Sequence, residues 1–204
     1  MNIVDAHIAA WRRSPFAEWA TGEAWDVTPD LPGMVARLLK TLDADYEIEG
    51  DIAVHRTTKV DPGAVMKGPL IVGPNCLIAM GSLIRGGCWL DTDCIVGPGA
   101  ELKTTIMFQG SKLAHFNFVG DSILGRDVNL EAGSIIANYR NELADSRLRI
   151  GYNGKMLKAD TLKFGALVGD GCRIGANAVV APGAILAPGT VVSRLGLIDQ
   201  RPTS

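Results

Sequence analysis

Aromatic residues make up only 6% of this 204-residue chain, and histidine occurs just three times. Three scattered histidines do not supply the convergent cluster that a catalytic zinc needs. Cysteine is also sparse, and Cys76, Cys88, Cys94 and Cys172 form no C-x-x-C pair, which argues against a metal or dithiol site. No basic stripe points to nucleic acid: 20 Lys and Arg against 22 Asp and Glu leave a formal charge of -2. No long apolar run at the N-terminus reads as a signal peptide or membrane span. Free thiols without such a segment fit a reducing, cytoplasmic setting.

What the chain has is a beat. Aliphatic residues recur every six positions at Ile48, Val54, Val60, Met66, Val72, Ile78, Ile84, Leu90, Val96 and Leu102. The beat returns at Leu124, Leu130 and Ile136, then at Leu162, Val168, Ile174, Val180, Leu186 and Val192. Six is neither the 3.6 of a helix nor the 2 of a lone strand. It is the period of a hexapeptide solenoid, so the fold class is all-β, a left-handed parallel β-helix whose coils stack as parallel strands. Glycine and proline punctuate the corners, as in Val96-Gly97-Pro98-Gly99. All four cysteines fall at the fifth place of a hexad, shared with Thr58, Ala64, Ser82, Ala100, Ser134, Ala178, Ala184 and Thr190. That place takes a small side chain packed inside the coil, and a free thiol behaves as one.

The beat divides the chain. Residues 1–45 lie outside it and read as a helical cap over the first coil, with one helix from Asp5 to Arg13. A second starts near Asp30 or Pro32 and ends at Leu42. Residues 46–197 form the solenoid. A loop is expected at 104–117, where the beat lapses, and a projecting hairpin at 140–161, where Asn153-Gly154 is a strong turn signal. Residues 198–204 read as a tail.

Lys67, Arg85 and Lys103 are eighteen apart, so with three hexads per coil they stack at one corner. Coils lie about 4.8 Å apart, and like charges at that spacing repel by on the order of 1 kcal/mol in water. A compact phosphorylated ligand would relieve the column. His7 and His55 read as surface residues. His115, in the expected loop, is the one histidine placed to act as a general base.

These residues resemble a family. Met66-Lys67-Gly68-Pro69-Leu70-Ile71-Val72-Gly73, Glu101-Leu102-Lys103, Gly110-Ser111-Lys112 through His115, Val119-Gly120-Asp121-Ser122, Ala137-Asn138-Tyr139-Arg140 and Lys163-Phe164-Gly165-Ala166 are similar to the acetyltransferase domain of the glucosamine-1-phosphate acetyltransferase/uridylyltransferases and the archaeal sugar-1-phosphate nucleotidylyltransferases. The resemblance covers roughly residues 50–195. It implies a homotrimer with active sites between subunits and acetyl-CoA as acyl donor, with no metal required. It implies His115 as base, oriented by Glu101. Arg85 and Lys103 would bind a sugar phosphate, with Lys67 in the same column. Asn129, Asn138 and Tyr139 would bind the sugar, and Ala176 would meet the cofactor. Phe118 stands where the family has a tyrosine that helps hold the phosphate. The space before the solenoid is too short for a nucleotidyltransferase domain, so uridylyl transfer is not expected of this chain. The expected function is N-acetylation of an amino-sugar 1-phosphate or sugar nucleotide. The alternatives are a non-catalytic trimeric module that binds such a ligand and an acyltransferase with another acceptor.

Overall fold

The computed structural model describes residues 3–20 and 22–200, and of Lys158 the backbone alone. The expected tail therefore falls partly outside it, at residues 201–204. The all-β expectation holds. Three parallel β walls wind around one core, joined by three corners.

The first wall stacks Ile52–His55, Leu70–Val72, Cys88–Leu90, the ends of Glu101–Met107 and Phe118–Leu124, Ala166–Val168 and Ala184–Leu186. The second stacks Lys59–Val60, Leu77–Ile78, Ile95–Val96, Lys112–Leu113, Asn129–Leu130, Arg173–Ile174 and Val191–Val192. The third stacks Val65–Met66, Leu83–Arg85, the starts of the two long strands, Ile135–Ile136, Val179–Val180 and Leu197–Ile198. We call the bend between the first and second walls the first corner, that between the second and third the second corner, and that leading back to the first wall the third corner.

The aliphatic beat is the inward row. Val72, Ile78, Ile84, Leu90, Val96 and Leu102 are fully buried in one cluster. Cys76, Cys88, Cys94 and Cys172 are free and buried in the same cluster, at the place that favours small residues. Two members of the beat do not belong to it. Ile48 is exposed on Tyr46–Glu49, which turns back antiparallel to the first coil strand, and Leu162 is exposed on the approach to the later coils.

The expected loop at 104–117 is a regular coil, and this is a correction. Leu83 pairs with Glu101, eighteen residues on, but Glu101 pairs with Phe118, seventeen on. One residue is lost at the third corner, so the inward row passes to Met107, Leu113 and Val119, all fully buried. Thr104 (φ 48°) and Asp121 (φ 46°) make these shortened bends in the left-handed region. Glu101–Met107 and Phe118–Leu124 therefore run unbroken around the corner.

The second interruption does hold a hairpin, Arg149–Tyr152 paired antiparallel with Lys155–Lys158 across Asn153-Gly154. It does not project. Ile150 and Leu148 are buried against the first wall.

The N-terminal segment also differs from a cap. Helix α1 (Ile3–His7) is followed by a single 3-10 turn at Trp11–Arg13, not by one continuous helix. Helix α2 (Ala24–Leu38) begins well before Asp30, opened by a reciprocal capping box between Glu23 and Asp26, and carries Pro29 and Pro32 inside it. Its stripe of Trp25, Thr28, Leu31, Val35 and Leu38 is buried, which offsets the backbone bonds the prolines remove. This segment lies along the first wall over several coils. Trp11, Phe16 and Trp25 pack with Ile71, Trp89, Ile106, Phe108, Ile123, Phe164, Leu167 and Ile185 in a second core outside the solenoid. His7, expected at the surface, is buried there, its Nδ1 at 2.8 Å from the Ile3 carbonyl and its ring beside Tyr152. The first wall is thus covered on both sides.

Two predictions follow from this packing. Burial pushes the Cys88 thiol up to about 12, and a hydrogen bond with the Cys76 thiol, then burial, raises Cys94, so at pH 8 only on the order of one Cys88 in ten thousand is thiolate. Iodoacetamide at pH 8 should leave Cys88 and Cys94 unmodified in the native protein and alkylate both in urea, read by peptide mass spectrometry. A Cβ at Gly87 (φ 86°) would sit 2.7 Å from Pro32 Cα, so α2 depends on that glycine, whereas Gly171 (φ 70°) faces open space. Gly87→Ala should cost about 3 kcal/mol in denaturant unfolding and Gly171→Ala about 1 kcal/mol.

Candidate functional site

The coil register decides which candidate residues meet. At the third corner the basic column is present: Arg85 pairs in register with Lys103, and the Lys67 amide donates to Ile84 one coil on. The column is already compensated from within the chain. Arg85 Nε lies 2.8 Å and its terminal nitrogen 2.6 Å from Glu101 Oε1. Lys103 Nζ donates to both oxygens of Asp121 at 2.8 Å. Lys67 is exposed and has no ion pair among the described residues. The repulsion expected from the stacked cations is relieved by two carboxylates, leaving one free charge.

Asp121 does more than balance Lys103. Asn138 Nδ2 also donates to Asp121 Oδ2. The carboxylate is buried and joins two candidate substrate residues from different coils. Sequence reasoning quoted Asp121 inside a motif and gave it no role. Its signal was an aspartate at the shortened corner, where Asn and Asp tolerate left-handed backbone. Beside it, Pro29 of α2 and residues Asp160, Thr161, Leu162 and Lys163 wall a cavity of about 440 Å³. Tyr139 follows Asn138 and is half exposed.

His115 lies elsewhere, at the second corner. The whole third wall separates this corner from Lys103 and Asp121. Successive coils place His115, Ala132, Ala176 and Arg194 one above another. The Gly133 amide donates to the His115 carbonyl (2.9 Å), Asn177 to Ala132 (3.0 Å) and Leu195 to Ala176 (2.9 Å). The imidazole is exposed and has no hydrogen-bond partner among the described residues. Glu101, named as its orienter, turns to Arg85 instead. Ala132 and Ala176, both half-buried, put small side chains in line with His115, and the Arg194 side chain reaches back over the Ala176 coil to Glu131. Phe116, next to His115, holds a left-handed backbone (φ 52°) while 74% of it is exposed. Bulky residues accept that conformation only when neighbours over-determine it.

Asn117 braces this corner from inside. It occupies the small-residue place yet carries an amide, buried, whose Nδ2 reaches the Glu131 carbonyl (2.7 Å) and Ser134 Oγ (3.0 Å). That ties the His115 turn to the next coil. Glu131 accepts from the Ala176 amide (2.9 Å) and from Arg194 at 2.9 and 3.0 Å. The Arg194 guanidinium, and then the Ala176 amide, hold the Glu131 carboxyl below its usual range.

Asn129 belongs with neither Asn138 nor Lys103. It points from the second wall, in register between Lys112 and Arg173. It lines a cavity of about 300 Å³ with Glu131, Arg173, Val191 and Arg194. One chain therefore presents two groups. Lys67, Arg85, Glu101, Lys103, Asn138 and Tyr139 stand on the third wall and third corner. His115, Asn129 and Ala176 stand on the second wall and second corner.

No protein-family model matches the chain. Its six-residue repeat and coil register give it the fold of a parallel β-helix built on hexapeptide repeats. It is 30% identical over 142 residues to a bifunctional sugar-1-phosphate nucleotidylyltransferase/acetyltransferase of Sulfurisphaera tokodaii, a match covering 70% of this chain and 35% of that protein. It is 35% identical over 130 residues to the bifunctional protein GlmU of Alkalilimnicola ehrlichii, covering 64% and 28%. The chain thus spans about a third of the length of these relatives. Among solved structures, the polysialic acid O-acetyltransferase OatWY superposes with a TM-score of 0.48 at 15% identity over 75% of this chain and 77% of that one.

The Asp121 junction is open to test. Asp121→Asn keeps a residue suited to the left-handed bend and removes the charge. Lys103 is only 19% exposed, so the loss of its pair should lower unfolding free energy by about 2 kcal/mol. Asp127→Asn, exposed at the first corner with φ 54°, should cost under about 0.5 kcal/mol in the same urea titration.

Proposed function

We propose that the chain is an acetyltransferase that moves the acetyl group of acetyl-CoA to the amine of an amino-sugar 1-phosphate or a related sugar nucleotide. The observation that carries this reading is the second-corner stack, an exposed His115 followed by the small Ala132 and Ala176. A long, thin thioester arm would lie along this line of small side chains, its carbonyl carbon brought to the imidazole end. The relatives named as acetyltransferases support the reaction type.

The amine nitrogen attacks the thioester carbonyl, the C–N bond forms, and the C–S bond breaks as the tetrahedral adduct collapses. His115 takes the proton that the nitrogen sheds and returns it to the departing CoA thiolate. A free imidazole facing solvent is suited to both transfers. The sugar is met by amides and by the cations of the third corner.

The two residue groups lie on different sides of the third wall, so one copy does not close the site. A homotrimer in which the third wall of one copy faces the second corner of the next would bring them together. The outer row of that wall favours burial: Val65, Ile135, Val179 and Leu197 are exposed apolar residues, and Met80, Phe116 and Leu195 continue the patch over the second corner. The covered first wall is not free for this contact. In such an assembly Glu101 would leave Arg85 or act through it, and Phe118 supplies ring surface without a hydroxyl.

A non-catalytic, ligand-binding trimer is the second reading. The observation that favours it is the pairing of Arg85 with Glu101 and Lys103 with Asp121, which leaves little free charge at the third corner.

Thiol release with acetyl-CoA and glucosamine 1-phosphate separates the two. Turnover is expected, and His115→Ala should lower kcat at least about 100-fold with a small change in KM. No turnover with any amino-sugar phosphate, together with stabilisation by sugar phosphate but not by acetyl-CoA in thermal unfolding, would leave the binding module.

A further inference from the structure

We infer that the outer row Lys112–Asn129–Arg173 of the second wall is a phosphate-binding site, with Arg173 as its main reader. The inference rests on the reading of the chain as a receptor for phosphorylated ligands and deepens it.

Three observations carry it. The ladder places Asn129 directly between Lys112 and Arg173, so their side chains leave the wall in one line, roughly 5 Å from one to the next. Lys112 and Arg173 are both exposed, and neither has an ion pair among the described residues. This contrasts with the third corner, where Arg85 and Lys103 each hold a carboxylate of the chain. Finally, Asn129 and Arg173 of this row line a cavity of about 300 Å³, which Arg194, pinned by Glu131, also lines. The carboxylate that would otherwise compete for Arg173 is thus occupied twice over, by Arg194 and by the Ala176 amide.

The chemistry of the row matches one ligand class. A guanidinium presents a planar fork to two phosphate oxygens, an ammonium adds a point charge, and the amide between them donates without charge. Position adds to the match. Lys112 lies three residues before His115, and Arg173 three before Ala176. A phosphate held here sits beside the second corner, which carries the candidate base. Two sources share this chemistry, the phosphomonoester of an acceptor sugar and the phosphates of a CoA donor.

Calorimetric titration of the full chain with glucosamine 1-phosphate, glucosamine and CoA decides the matter, comparing wild type with Arg173→Gln, Lys112→Gln and Arg85→Gln. Lys112 and Arg173 are exposed, so the unfolding midpoints of their two variants, checked alongside, should stay unchanged. Arg173→Gln should weaken one phosphorylated probe about 10-fold or more and flatten its salt dependence. Lys112→Gln should weaken it about threefold, and glucosamine binding should not change. A loss confined to glucosamine 1-phosphate assigns the acceptor, and a loss confined to CoA assigns the donor. Wild-type affinity for both probes in Arg173→Gln, a loss seen only in Arg85→Gln, or no binding of either probe by wild type overturns the site. Arg173-dependent binding without thiol release would instead retain the site and remove acetyl transfer.

Discussion

The parallel ladder between coils is the constraint on which the rest of this molecule depends. Wall residues pair with those eighteen or seventeen positions on, or forty-four on where the hairpin segment is inserted, and side chains in register must line up. Aliphatic rows stack inside because of it, and charges stack outside for the same reason. The ladder that sets Lys103 over Arg85 also sets Glu101 and Asp121 within reach of them. Two cations that would repel across one strand spacing are each neutralised by a residue on the next coil, and no ligand is needed to hold them.

The same constraint explains how the chain absorbs a missing residue. A wall cannot lose a position without turning its inward row outward. The deletion therefore falls at the third corner, where Thr104 and Asp121 take up left-handed backbone and the long strands run through. Asp121 is buried as a result. The bend that shortens the coil is also what aims a carboxylate at Lys103 and Asn138.

Much of the fold was legible. The inward row, the place of the four cysteines and the hairpin at Asn153-Gly154 follow from period and turn chemistry alone. Three features were not read, for different physical reasons. A strict count of six treated the shortened coil as a loop, although Leu102, Met107, Leu113 and Val119 carry the row across it. The second helix reads as starting near Asp30 or Pro32, because burial of Trp25, Leu31 and Val35 is a tertiary gain that local sequence does not show. The covered first wall did leave a trace: Leu70-Ile71-Val72 and Ala166-Leu167-Val168 are unbroken apolar runs, whereas the other walls alternate. Unbroken runs mark strands buried on both faces. The site residues were legible by type and register, but not their partners. Glu101 answers to Arg85 and Asn117 to Ser134 because of which coils adjoin, and a single hexad does not encode that.

With the first wall committed to α1, α2 and the hairpin, surface chemistry is confined to the second and third walls. The corner between them is the edge they share, and it carries His115, the small Ala132 and Ala176, and Phe116 with its exposed ring. Apolar rows flank it on the third wall and free cations on the second. An apolar row in water favours a protein surface, while unpaired cations in line favour an anion, so the two walls suit different occupants. A copy of the chain on one wall and a phosphorylated ligand on the other would both end at His115. On the proposed reading, that convergence, more than any single residue, favours the second corner over the basic column as the place of reaction.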